Sequence, residues 1–212
     1  MGIEIVALDE ASFHLTTTYK KIWFPRGETP RGAFFWSSKK LTTFGALTSS
    51  HKFYYDFYDA QNSLTFKHFL WTLFDKLGKK KKYVLLLDNV GYHKTSCINN
   101  FIQEHSNISV EYIPPYSPEL NPIETCWKVT KGRVTKSQYF ESIDDMQEAL
   151  ESFWADHIFM QNFMRYLCPW LDYNKFYKWN YNYRQHGQCD NMLLFQGYFW
   201  HRCLKTVETI KI

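Results

Sequence analysis

No apolar run in this chain comes near the ~20 residues that a membrane-spanning helix requires. The longest, such as Val84 to Leu87, have the length of a buried strand, and no transmembrane segment is expected. Cysteine is sparse: Cys97, Cys126, Cys168, Cys189 and Cys203 are an odd number, contain no C-x-x-C pair and follow no signal peptide. That pattern argues against a secreted disulfide framework and for a reduced, cytoplasmic protein. An excess of one charge is lacking too. With 25 Lys and Arg against 21 Asp and Glu the formal charge is only +4, which permits a polyanionic partner without arguing for one.

What is present suffices for a core of ordinary size. An open α/β sheet covered by helices uses about 150 residues, so the 212 residues divide most simply into one main domain, 1–167, and a tail, 168–212. The first eighty residues read as a meander of antiparallel strands: Ile3 to Leu8 ending at Asp9, Lys21 to Pro25 before Arg26-Gly27, then Leu41 to Leu47 and Phe53 to Tyr58, with a turn at Ser49 to Lys52. Phe66, Phe69, Leu70, Leu73, Phe74 and Leu77 fall at helical spacing, with Asn62-Ser63 as a cap and Gly78 as a stop. Tyr83 to Leu87 is apolar without alternation, as in a strand covered on both faces, and it ends at Asp88. A short helix over Thr95 to His105, a strand over Ile108 to Ile113 and a stop at Pro114-Pro115 complete two β-α-β steps. Helices follow from Pro122 and from Ser142, the latter with Ile143, Met146, Leu150 and Phe153 on one face, and the domain closes near Asp156.

Asp9, Asp88 and Glu124 carry the chemistry. Parallel strands gather ligand sites at their carboxyl ends, where both aspartates are expected. Taken singly, each has a bland reading: either aspartate as a turn or cap residue, and Glu124 as the third helical residue of a capping box on Asn121. Taken together they suggest a site, because three gathered carboxylates repel one another unless a cation neutralises them. Carboxylates from strand ends and a helix start can hold two Mg²⁺ ions about 4 Å apart for phosphodiester chemistry. The helical phase adds to this: Ile123, Trp127, Thr130 and Val134 share one side, and Glu124, Lys128 and Lys131 form a stripe beside it. Glu10 is expected to face away from Asp9, since neighbours on a strand alternate sides.

Four ordered motifs make the reading specific. They are Ala7-Leu-Asp-Glu-Ala-Ser-Phe-His14, Trp23-Phe-Pro-Arg-Gly-Glu-Thr-Pro30, Leu86-Leu-Asp-Asn-Val-Gly-Tyr-His93 and Pro114-Pro-Tyr-Ser-Pro-Glu-Leu-Asn-Pro-Ile-Glu-Thr-Cys-Trp127, with 35 residues between Asp88 and Glu124. Over roughly residues 4 to 165 the chain resembles the catalytic domain of mariner-superfamily DDE transposases, in their prokaryotic insertion-sequence branch. The element order agrees with the ribonuclease H-like fold of that family, a mixed five-stranded sheet flanked by helices. The resemblance implies a D-D-E triad of Asp9, Asp88 and Glu124 binding two Mg²⁺ or Mn²⁺ ions, Asp9 bridging them. It further implies cleavage of transposon ends and their joining to target DNA at a TA dinucleotide. Asn89, His93 and Asn121 match family positions beside the triad and would orient ligands or contact DNA, as would Lys128 and Lys131. A homodimer is a further partner that this reading allows.

Family members carry helix-turn-helix modules ahead of the first catalytic strand, and this chain starts at that strand. It is therefore expected to bind DNA weakly and salt-sensitively, as one half of a split transposase with a separately encoded N-terminal half, a product needing fusion with an upstream frame, or a decayed copy. Two alternatives stay open: an inactive DNA-binding or dimerising remnant, and a ribonuclease H-like nuclease or resolvase outside transposition. Other signals read more blandly. Lys79 to Lys82 begins the strand ending at Asp88, about 20 Å from the site at ~3.3 Å per residue, and is expected to be a solvated turn. The tail is rich in aromatics, and Cys168, His186, Cys189, His201 and Cys203 fit no common zinc finger.

Overall fold

The computed structural model describes residues 2–18, 25–27, 34–115, 117–136, 138–163 and 166. All but the last residue of the expected strand over Lys21 to Pro25, most of the motif beginning at Trp23, and the whole tail from residue 168 with its aromatics and Cys/His residues lie outside the described residues.

Five strands form one mixed sheet: β1 (Ile3–His14), β2 (Lys40–Thr48), β3 (Phe53–Tyr58), β4 (Lys82–Leu87) and β5 (Ile108–Tyr112). Their order across the sheet is β3-β2-β1-β4-β5, with β1–β2 and β2–β3 antiparallel and β1–β4 and β4–β5 parallel. This is the ribonuclease H-like arrangement, in which β1 lies between the meander and the parallel half. Helices α1 (Ser63–Leu77) and α2 (Ser96–Glu104) cover one face, packing Phe66, Phe69, Leu70, Leu73, Ile98 and Phe101 on Val6, Leu8, Phe44, Leu85 and Leu87. Helices α3 (Pro122–Thr130) and α4 (Ile143–Asp156) cover the other, setting Ile123, Trp127, Met146, Leu150 and Trp154 against Ala7, Ala11, Phe13, Leu47 and Leu86. Double coverage explains the apolar strands. Leu41 to Thr48 are all buried although β2 is antiparallel on both edges.

Local chemistry sets the boundaries. Asn62 caps α1 by accepting from the Leu64 and Thr65 amides, and Thr65 returns a bond to the Asn62 amide. Gly78 ends the helix at φ 77°, a conformation that only glycine adopts without strain. Ser142 and Asp145 form the same reciprocal box at the start of α4, and α3 runs into a π-helical turn, Lys131–Thr135. The basic run at Lys79 to Lys82 is exposed, and Lys81 pairs at 2.9 Å with the buried Glu4 on the neighbouring strand. Among the described residues no helix is long and apolar enough to cross a membrane.

One expectation needs correction. Asp9 does not end its strand: β1 continues to His14, and Glu10 to His14 pair with Phe44 to Lys40 of β2. The parallel ladder with β4, however, stops at Ala7 and Leu86. Asp9 therefore sits mid-strand but at the carboxyl end of the parallel pairing, because β2 holds the second half of β1 after β4 has ended.

Candidate active site

The parallel register that sets Ala7 opposite Leu86 carries two residues further to Asp9 and Asp88. With a side-chain period of two, both aspartates belong to the face covered by α3 and α4. Helix α3 is pinned to this point of the sheet by its cap. Asn121 is buried, its Nδ2 donates to the Leu8 carbonyl at 3.2 Å, and its Oδ1 accepts from the Ile123 amide. The Asn121 amide donates to the Pro118 carbonyl, so Glu124 does not close a capping box with it. Glu124 instead belongs electrostatically to the aspartates. Burial first, and then the Asp88 charge, raise its pKa against the pull of Lys131.

Asp9 is the most perturbed carboxyl group of the three. Part of its surface is accessible, yet protein crowds it from most directions. That enclosure, then the charges of Glu10, Glu124 and Asp88, hold its pKa well above the usual carboxylate range. One oxygen, Oδ2, accepts the Trp127 indole N–H at 3.0 Å. Among the described residues no three or more His, Cys, Asp or Glu side chains converge closely enough to hold a metal ion as they stand. The three carboxylates are electrostatic neighbours; Asp9 is held by Trp127 and Asp88 by His93. An oxygen-only donor set in which the Asp88 charge raises the pKa of Glu124, and the Glu124 and Asp88 charges raise that of Asp9, fits a hard divalent cation such as Mg²⁺ or Mn²⁺, whose charge relieves that repulsion.

Glu10 faces the opposite side of β1, as strand alternation requires, and meets a residue that follows Asp88. His93 stands in a short 3₁₀ turn, Gly91–Lys94, and is 1% exposed. Its Nε2 donates to Glu10 Oε1 at 3.0 Å and its Nδ1 to Asp88 Oδ1 at 2.9 Å. Burial alone would lower its pKa, but the hydrogen bonds it donates to Asp88 and Glu10 outweigh it and lift the imidazole from 6.5 to about 9. The ring is therefore a fixed cation at neutral pH, tying two strands together behind Asp88. Phe66 lies over it at 4.3 Å between centroids, and the neighbouring Tyr92 hydroxyl is pushed up by burial and then by the Glu10 charge.

These distances set the comparisons in context. The sequence model of the DDE superfamily endonucleases matches residues 4–147. The chain belongs to that family. Among curated relatives it is similar to the uncharacterized protein y4pE/y4sA of Sinorhizobium fredii, at 35% identity over 63 residues, 30% of this chain and 44% of the relative. It is also similar to the insertion element IS630 uncharacterized 39 kDa protein of Shigella sonnei, at 25% identity over 146 residues, 68% of this chain and 43% of the relative. Among solved structures it is similar to the Mos1 transposase paired-end complex with left transposon end, with TM-score 0.62 and 20% identity over 73% of this chain and 48% of that one. The catalytic domain of Mos1 mariner transposase aligns with TM-score 0.54 and 19% identity over 72% of this chain and 70% of that one. At such identity the structural likeness carries the fold. The chain spans less than half the length of the curated relatives it matches.

Within this DDE superfamily endonuclease the structure sorts the remaining expected residues. Asn121 and His93 touch the backbone or the side chain of the site, as described. Lys131 is half-buried, close enough to Glu124 to lower its pKa, with its Nζ 5.7 Å from the centre of the Phe13 ring. Lys128 is exposed, and Asn89 is exposed with its side-chain oxygen taken by Lys94. Sequence reasoning missed Trp127 as a donor to Asp9 and Glu10 as the partner of His93. One signal was available: Gly45, inside an otherwise bulky strand, marks a close approach, and the ring that approaches is Trp127.

Proposed function

We propose that residues 1–167 form the catalytic domain of a transposase that cleaves DNA at the ends of a mobile element and joins those ends to target DNA. The observation that carries the reading is that Asp9 and Asp88, two residues past a register pair of adjacent parallel strands, and Glu124, on a helix pinned to the carbonyl before Asp9, are near enough for the Asp88 and Glu124 charges to act on Asp9. Membership of an endonuclease family and the fold shared with a transposase catalytic domain support it. Asp9, Asp88 and Glu124 would hold two divalent ions, Mg²⁺ or Mn²⁺. Bound there, the ions would activate the attacking oxygen and stabilise the leaving oxygen of an in-line displacement.

The protein's own groups do the rest. His93, charged and buried, keeps the Asp88 carboxylate in one orientation and is itself kept by Glu10. Asn121 fixes the start of α3, so that Glu124 is carried beside the aspartates on a rigid element. Lys128 and Lys131, on the Glu124 side of α3, offer cations to the phosphates flanking the scissile bond. DNA is the partner, and the bacterial cytoplasm, at the nucleoid, is where the reaction is expected.

The test is an assay of duplexes carrying the ends of the DNA that flanks the gene, uncut and pre-cleaved, with Mg²⁺ or Mn²⁺. Wild-type chain is expected to nick the first and join the second to a TA-containing target, and Asp88→Asn to do neither. Equal activity in the two proteins, or none in the wild type, refutes the proposal; cleavage without joining moves it to a nuclease outside transposition.

A further inference from the structure

Trp127 sits one helical turn after Glu124 and has a role that its place in the core does not require. Its ring is buried between α3 and the sheet, edge-on to Phe13, Phe53 and Trp154 at 6.2, 5.6 and 6.2 Å between centroids. Phenylalanine or leucine would serve such packing. The indole instead carries its single N–H to Asp9 Oδ2 at 3.0 Å. The strand opposite has been cleared for it: Gly45 is the register partner of Asp9, and a Cβ there would lie 2.4 Å from Trp127 Cη2 and 2.6 Å from Cζ2. Two features of different elements, a donor on α3 and a missing side chain on β2, thus converge on one carboxylate.

We infer that Trp127 is a positioning residue for Asp9: seated on Gly45, its indole N–H sets the orientation in which the Asp9 carboxylate is presented to a cation shared with Asp88 and Glu124. The inference rests on the proposed function of these three residues. The chemistry of the donor suits the task. Indole N–H donates and cannot accept, carries no charge and cannot ligate a metal. It therefore restrains the carboxylate without neutralising it, whereas a lysine or arginine would compete with the cation for the same oxygen. Geometry reinforces the point. Asn121 grips the Leu8 carbonyl from the N-cap of α3, and Trp127 grips Asp9 nearly two turns later. Glu124 lies between these two attachments, so the bond that orients Asp9 also sets the helix that carries its companion.

The experiment is calorimetric titration of the full chain with Mn²⁺ alone, alongside thermal unfolding, for wild type, Trp127→Phe, Asp88→Asn and Leu150→Ala. Asp88→Asn reports on the site itself and is expected to lose Mn²⁺ binding. Trp127→Phe keeps a ring and removes the donor; its Mn²⁺ Kd is expected to rise by at least about tenfold. Leu150→Ala, in the same core but on α4, is expected to lower the melting temperature while its Kd stays within about twofold of wild type. If Asp88→Asn loses binding and Trp127→Phe binds like wild type, the inference is wrong and the site stands. If Leu150→Ala weakens binding as much as Trp127→Phe, core packing is responsible and the inference is again wrong. Undiminished binding by Asp88→Asn removes the site and the inference with it. Should Trp127→Phe fail to fold, Gly45→Ala, which keeps the indole and displaces it, carries the same expectation of weakened binding.

Discussion

Alanine at position 45 tests whether the sheet was built around the Trp127 ring. In an unobstructed position, replacing glycine by alanine stabilises a protein by about 0.4–1 kcal/mol, because the unfolded chain loses freedom. At Gly45 the added Cβ would stand 2.4 and 2.6 Å from two indole carbons and 3.2 Å from Ile123 Cδ1. Carbon atoms pack at ~3.5–4.0 Å, so the ring must withdraw by about 1 Å. Withdrawal is blocked by Phe13, Phe53 and Trp154, which contact the ring edge-on from other sides. Overpacking of this kind costs about 1–3 kcal/mol. Stretching the bond to Asp9 forfeits part of the ~1.5–3 kcal/mol associated with a hydrogen bond to a charged group. The sum, about 3 kcal/mol of destabilisation, has the opposite sign to the unobstructed case. It corresponds to a drop in melting temperature on the order of 10 °C for a domain of this size. Urea unfolding of Gly45→Ala beside Gly132→Ala measures it, since a Cβ at Gly132 meets nothing within 4 Å. A Gly45→Ala protein as stable as wild type, or more stable, refutes the argument that the ring needs this glycine.

The buried His93 cation makes stability depend on pH. Its folded pKa of about 9 exceeds the ordinary 6.5, so its contribution is complete below about 6.5 and disappears as pH rises through about 9. The unfolding free energy of wild type from urea titration should exceed that of His93→Gln at pH 6 by an amount on the order of 2–3 kcal/mol, and the gap should shrink by pH 10; a constant gap contradicts the assignment. Asp9 has the other consequence. Its raised folded pKa means that ionising it costs stability at pH 7, so metal-free Asp9→Asn should unfold at a higher temperature than wild type at pH 7 and at the same temperature at pH 3. A lower melting temperature at pH 7 would show that the carboxylates do not strain the fold. His51, in the turn between β2 and β3, holds φ 65° and buries an unpartnered Nδ1. His51→Gly should therefore stabilise by about 0.5–1 kcal/mol, which the same urea titration detects; a loss would mean that the imidazole makes contacts worth more than the strain.

The elements most legible in the sequence were those with strong local determinants. Asn62, the apolar spacing from Phe66 to Leu77 and Gly78 specified α1 before any tertiary contact was known, because caps and periodicity act within a few residues. Phe53 to Tyr58 and Tyr83 to Leu87 were equally plain, bounded by turn residues and rich in strand-forming side chains. The extent of β1 was not. Nothing local separates a strand ending at Asp9 from one continuing to His14; the continuation depends on β2 arriving some thirty residues later to pair with it. The capping-box reading of Glu124 failed for a related reason. The Asn121 amide found Pro118 first, and its side chain was committed to the Leu8 carbonyl across the sheet.

The sequence by itself determined the order of the elements and their faces and singled out three carboxylates as the proposed site, since propensity, periodicity and motif spacing are properties of the chain read in one dimension. Only the tertiary structure decided what holds those carboxylates. Trp127 lies 118 positions from Asp9, and His93 lies 83 from Glu10. Contacts at such separations depend on sheet register and helix docking, which no local pattern encodes. The donors that aim Asp9 and Asp88, and the glycine that makes room for one of them, became visible only when the chain was folded.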